Sequence, residues 1–308
     1  MAEGNPDKPS LIVWNKVRYS VRIRHEGSAL PVRRGISWVL ALCALSALRD
    51  ARADPQPLWE LGLGAGVLGF ADYRGADSAH VYPLPVPYIV YRGKFLKADE
   101  DGVRQLLFNQ PYAELNLSLN ATTPVFRRAS GARAGMPDLK ATIEAGPALA
   151  LHLWHTADRR VKLDLRLPLR AALTVESSPQ AIGWLFTPQL AVDIKDVWGK
   201  TGWKLGLLAG PLYADRRYDD YFYSVEPRFS TPDRPAYHAR DGYAGSEALV
   251  SLSKRFPGFW VGAYARYDSL SGATFTPSPL VRRHGYGSAG IAIAWILRRS
   301  SRQVDADD

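Results

Sequence analysis

The chain has one cysteine and two methionines in 308 residues. The cysteine, Cys43, lies inside a short apolar segment, and everything after it lacks both disulfide and thiolate chemistry. Leu42, rather than a small residue, precedes it, which argues against a lipid-modified cysteine. No run of 18 or more apolar residues occurs, so a helical membrane protein is not expected. A β-barrel would show no such run, because only every second residue of its strands meets lipid. Also missing are G-x-S-x-G, H-E-x-x-H, a phosphate-binding loop and a dinucleotide fingerprint. The 46% hydrophobic and 22% charged composition excludes disorder and little else.

What is present begins with a leader. Arg33 and Arg34 precede the apolar segment Ile36 to Leu48, and Ala51-Arg52-Ala53 follows with Asp54-Pro55 behind it. This is the basic, apolar and small-x-small order of a secretory signal, with cleavage expected between Ala53 and Asp54. Residues 1–32 are polar and lie upstream of it, which suggests a true translation start near Val32. The general secretory route fits better than a twin-arginine one, because a barrel must cross the inner membrane unfolded. Removing residues 1–53 lowers the formal charge from +9 to about +4. The remaining chain has no basic stripe, and no nucleic-acid partner is expected.

From Asp54 onward the hydrophobic pattern has a period of two. Val161 to Glu176 is the longest example, with Leu163, Leu165, Leu167 and Leu169 alternating against Lys162, Asp164, Arg166 and Arg170. Side chains alternate faces only in an extended strand. Similar alternation runs through 113–121, 139–153, 184–194, 203–213, 248–252, 259–267 and 289–297, with four weaker segments between Leu58 and Phe108. The expectation is an all-β, transmembrane, antiparallel up-and-down barrel of about 12 strands over residues 54–297, with a polar tail over 298–308. Long spacers alternate with short ones, and aromatic residues such as Trp154, Trp184, Trp203 and Trp295 sit at strand ends, where interface girdles belong. The competing fold is a soluble lipocalin-like or two-sheet protein. Pro147, Pro168, Pro188 and Pro211 fall inside strands, where each removes a ladder hydrogen bond that a bulge would accommodate.

On a strand, His152 and His155 face opposite sides and cannot share an ion, so no metal is expected. Glu114, Glu144, Lys162, Asp164, Arg166 and Arg170 fall on polar strand faces and are expected to face the barrel interior, as ion pairs or the lining of a narrow pore. Without a triad or cofactor motif, no catalytic residue and no cofactor are expected. Tyr213 to Val225 (YADRRYDDYFYSV) reads as part of a long loop folded over the barrel mouth, with a binding surface as the alternative.

Four segments carry a resemblance: Asp72-Tyr73-Arg74-Gly75-Ala76-Asp77; Pro83-Leu84-Pro85 with Tyr88 to Tyr91; Tyr221-Phe222-Tyr223-Ser224-Val225; and Trp260 onward through Tyr267, Leu270, Gly272 and Ser278-Pro279-Leu280-Val281. In this order and spacing the chain resembles the MipA/OmpV family, the MltA-interacting proteins of Gram-negative outer membranes. Asp72, Tyr73, Gly75, Tyr221, Phe222, Val225, Ser278 and Pro279 are the positions that match the family pattern. The resemblance implies an outer-membrane barrel surrounded by lipid and inserted by the barrel-assembly machinery. For the family's namesake it implies a scaffold joining a lytic transglycosylase to a peptidoglycan synthase, without enzyme activity of its own. A narrow solute channel and an adhesin or envelope-stress protein are the alternatives. The chain departs from the pattern at Tyr223-Ser224, where the family has a Gly after Phe, and at Leu297, where it ends on an aromatic.

Overall fold

A computed structural model describes residues 56–93, 96–99, 102–122 and 131–304, with the side chains of 94–109 left aside. The leader, including Ala51, Ala53 and Asp54, lies outside the described residues. In chain order the strands are β1 (Gln56–Pro57), β2 (Trp59–Ala71), β3 (Ala79–Arg92), β4 (Leu96–Asp99), β5 (Gly102–Gln110), β6 (Ala113–Thr122), β7 (Thr142–His155) and β8 (Val161–Thr174). Then come β9 (Ala181–Phe186), β10 (Gln189–Lys195), β11 (Trp203–Ala214), the helix α1 (Arg216–Tyr223), β12 (Gly242–Arg255), β13 (Phe259–Ser269), β14 (Gly285–Arg299) and β15 (Gln303–Val304).

Every neighbouring pair is antiparallel, and sequence neighbours are sheet neighbours, as a meander of hairpins requires. β14 pairs with β2, which joins the two ends of the chain. β9 and β10 are two halves of one bent crossing, since both lie between β8 and β11. The ladder therefore runs round a ring, but its wall is uneven. β4 is four residues long and β3 meets it at only two residue pairs, Tyr91↔Ala98 and Arg92↔Lys97. The cause is visible in β3, where Pro83, Pro85 and Pro87 all lie in register with β2. A proline has no N–H, so in such a ladder its nitrogen must face the other way, and three of them at alternate positions remove the donors a further strand would need.

The remaining prolines gather at a second irregularity. Pro188 separates β9 from β10; Pro168 on β8 accepts a bond from Thr187 N (3.2 Å); and Pro211 on β11 lies between Ala209, the last residue paired with β10, and Tyr213, the first paired with β9. The missing donors of three adjacent strands thus coincide with one bend. Pro147 keeps its register with Leu117 on β6, and the β7–β8 register is interrupted beside it.

The full-length strands have 11 to 15 residues. At ~3.3 Å per residue and a tilt of ~40°, such strands span the ~25 Å apolar band of an outer-membrane barrel. The burial pattern is inverted relative to a water-soluble protein. Ile291 is 64% exposed and Leu63 55%, whereas Glu60 and Asp268 are fully buried. Apolar residues on the outside of every strand and charges on the inside are what a lipid-facing barrel needs and a lipocalin-like core forbids. Along β8, Leu169 and Leu173 are exposed while Asp164 is buried.

The long connections 72–78, 175–180, 215–241 and 270–284 follow strands that run the same way and so lie at one end, with the described residues 131–141, while the turns 111–112, 156–160, 196–202 and 256–258 lie at the other, together with both described chain ends. At the short-turn end β14 continues past Leu297 to Arg299, and β1 pairs with β15, so residues 298–304 belong to the β-structure rather than to a polar tail. Glu60 closes the interior there, bonded by Arg255 and by Tyr88 Oη (3.1 Å), with Arg92 Nη1 at 3.8 Å.

Candidate functional site

The long-loop end is roofed. Its centre is α1, a helix where a loop is expected from sequence. Asp215 caps it, accepting from Tyr218 N at 3.0 Å, and the same Oδ1 accepts from Trp184 N on β9. This places Asp215 against Gly183, whose φ of +132° and lack of a Cβ allow the close approach. At the other end, Arg133 Nη1 donates to the Phe222 carbonyl at 2.9 Å, satisfying an acceptor the helix leaves open.

The roof is a small apolar core of its own, built from Tyr73, Phe222, Tyr223, Leu270 and Phe275 with the strand-end residues Leu185, Leu212 and Ala244. Tyr223 stacks on Phe275 with ring centroids 3.7 Å apart, and its hydroxyl donates to the Arg74 carbonyl at 3.0 Å. Tyr73 Oη donates to the Leu280 carbonyl (2.8 Å), and Ser278 Oγ to the Tyr223 carbonyl (2.6 Å). Gly75, with φ +92°, offers its carbonyl to the N–H groups of both Arg282 and Arg283. Asp72 closes its loop through Ser78 Oγ (2.6 Å), and Val225 bridges to Tyr237. Pro279 sits between Ser278 and the fully buried Leu280. Three segments far apart in sequence, about 72–78, 215–225 and 270–283, therefore meet in one structure.

Beneath the roof is a chamber of about 670 Å³. Glu114, Glu144, Asp164, Arg166 and Arg170 line it; Lys162 lies lower on β8, in register with Asp193. Glu144 accepts from Tyr218 Oη (3.1 Å) and Asn120 Nδ2 (3.0 Å), with Arg170 Nη1 at 3.9 Å, so this carboxylate ties the roof to the wall. His152 Nδ1 lies 2.9 Å from Asp164 Oδ1, and Arg166 pairs with Asp193 at 3.0 Å. His155 is exposed, against the Thr156 carbonyl. A second network, Arg266 with Glu247 and Asp268 and Arg74 with Asp268, stands on β12, β13 and the 72–78 loop. Sequence reasoning did not single out Glu247, Arg266, Asp268 or Glu60. Their signal was the same alternation, since Glu247 precedes the outward series Ala248, Val250 and Leu252.

One roof residue lacks a partner. Asp219, on α1, is fully buried, and neither carboxylate oxygen has a hydrogen bond; Arg74 Nη2, also buried, has none. Burial is the main cause that pushes the Asp219 carboxyl up to about 8, with Arg74 opposing and Asp215, Asp220 and Asp241 adding to the rise. Among the described residues no group of three or more His, Cys, Asp or Glu is placed to hold a metal.

The family model described as MltA-interacting protein MipA matches residues 63–297. The chain belongs to the MipA family. It is an outer-membrane β-barrel protein, and the short-turn end is accordingly the periplasmic one. Asp72, Tyr73, Gly75, Tyr221, Phe222, Val225, Ser278 and Pro279, the residues on which the resemblance was read from sequence, all lie in or beside the roof. Among solved structures, the chain is similar to a NanC porin (9% identity, TM-score 0.36, 77% of this chain and 100% of that one). It is also similar to the outer membrane channel DcaP of Acinetobacter baumannii (10% identity, TM-score 0.32, 80% and 98%). No curated protein matches it.

Proposed function

We propose that this MipA-family barrel is a non-enzymatic scaffold that brings a lytic transglycosylase together with a peptidoglycan synthase at the periplasmic face of the outer membrane. Membership of a family described as MltA-interacting is the observation that carries the reading. The architecture supports it in two ways. The described outer loops pack into a roof, and the periplasmic turns carry exposed polar side chains such as Arg159 and Lys200. The chamber's charges are engaged with one another or with the roof, and no nucleophile with a base and an orienting group stands among its described residues. Pull-down from detergent-solubilised envelopes tests the proposal: recovery of a transglycosylase or synthase is expected, and recovery of neither counts against it. A narrow channel is the second reading, motivated by the charged lining of the 670 Å³ chamber.

A further inference from the structure

Among the described residues, three that are not glycine adopt positive φ: Arg159 (53°), Asp196 (54°) and Trp198 (58°). All three lie in two adjoining periplasmic turns, 156–160 and 196–202, which touch through the bond from Lys195 N to the Arg160 carbonyl at 2.7 Å. For a residue as bulky as Trp this backbone is a true outlier, and it persists only where surrounding contacts impose it. Here they do: Asp196 Oδ1 accepts from Gly202 N at 2.6 Å, and Gly199 N donates to the Asp196 carbonyl.

The result of that strain is an indole that is 72% exposed. Membrane anchoring does not account for it, because the girdle level on this hairpin is already marked by Trp203, at the start of β11, with Lys254 Nζ over its ring at 5.6 Å. Trp198 lies outside the strands, in the turn that joins β10 to β11. Around it, Arg160 is paired with both acids of the turns, Asp158 at 3.5 Å and Asp196 at 3.9 Å, whereas the exposed Arg159 and Lys200 have no ion pair among the described residues. The same periplasmic end carries exposed Arg298, Arg299 and Arg302.

We propose that these two turns bind peptidoglycan directly, with Trp198 stacking on a sugar face and Arg159 and Lys200 pairing with stem-peptide carboxylates. An exposed flat aromatic in turns that also carry exposed cations suits a glycan that carries carboxylates, since the ring supplies area without needing a deep pocket and the cations supply the charge complement. This contact is separate from the enzyme-scaffold reading and needs no second protein. It places a handle for the murein layer on the barrel itself.

The test is co-sedimentation of the full-length protein, in detergent micelles, with purified sacculi stripped of protein. Trp198→Ala and the double variant Arg159→Ala/Lys200→Ala are compared with wild type and with Trp198→Phe, which keeps a ring. Heat-modifiable migration selects variants that retain the barrel. Binding weaker by about tenfold in both alanine variants, retained in Trp198→Phe and lowered by salt, is expected. Wild type that fails to sediment, or alanine variants that sediment equally well, would overturn the proposal. So would alanine variants that keep sacculus binding but lose binding to phosphatidylglycerol-containing vesicles, which would assign the patch to lipid. None of these outcomes depends on whether a transglycosylase is recovered in the pull-down.

Discussion

Replacing Asp219 by Asn should change how the roof responds to pH. The carboxyl is fully buried without a hydrogen-bond partner, and its ionisation is pushed from 3.8 to about 8, first of all by burial. An acid whose folded value is raised holds a proton that the opened roof releases. Stability is therefore fully present below about pH 4, falls as pH rises, and has lost its full share above about pH 8. Between pH 6 and pH 8 this linkage amounts to at most ~2.7 kcal/mol, or about a hundredfold in the population of the opened roof. Arg74 favours the ionised form of Asp219 and so offsets part of this, and about tenfold is the expected size. Asparagine has nearly the same shape and no charge to gain. Trypsin nicking at the exposed Arg216, Arg217 and Arg228 measures opening, and the wild-type rate divided by the Asn-variant rate cancels the protease's own pH dependence. That ratio should rise from pH 6 to pH 8 and level off above about pH 8. A ratio that stays constant would refute the buried-acid reasoning.

Other perturbations follow from the same contacts. Gly183→Ala places a methyl against Asp215 Oδ1 and Tyr218 N at a positive φ, and should detach the start of α1, raising nicking in 215–225 while heat-modifiable migration persists. Tyr223→Leu removes the stack on Phe275 and the bond to the Arg74 carbonyl, at a cost of about 1–2 kcal/mol, and should likewise speed nicking. Glu60→Ala leaves Arg255 and Arg92 facing an interior without their acid; a loss of about 3 kcal/mol should lower the temperature at which the folded form disappears on gels.

The strands were readable because a barrel wall imposes one rule on every residue. Leu169 meets lipid and Arg170 the chamber for the same reason, a period of two, and the long-short rhythm of connections orders the ends. Two things were harder to read. The prolines of strand interiors looked like faults one at a time; only the pairing shows Pro168, Pro188 and Pro211 sharing one bend and Pro83, Pro85 and Pro87 thinning one seam. The helix α1 is eight residues of Tyr, Asp and Arg with an aromatic end, and local propensity does not favour it. It exists because Asp215 caps it, Arg133 closes its far end, and Phe222 and Tyr223 find an apolar pocket made by loops distant in sequence. The family motif pieces were legible as a pattern, but their meeting in the roof is tertiary and has no local signature.

The roof over a charged chamber is the central claim, and planar-bilayer recording of the purified protein tests it most directly. Wild type should give no steady conductance near pH 6, and deletion of 216–223 should produce discrete steps. Steady open steps from the intact protein at that pH would contradict the roofed chamber and favour the channel reading instead.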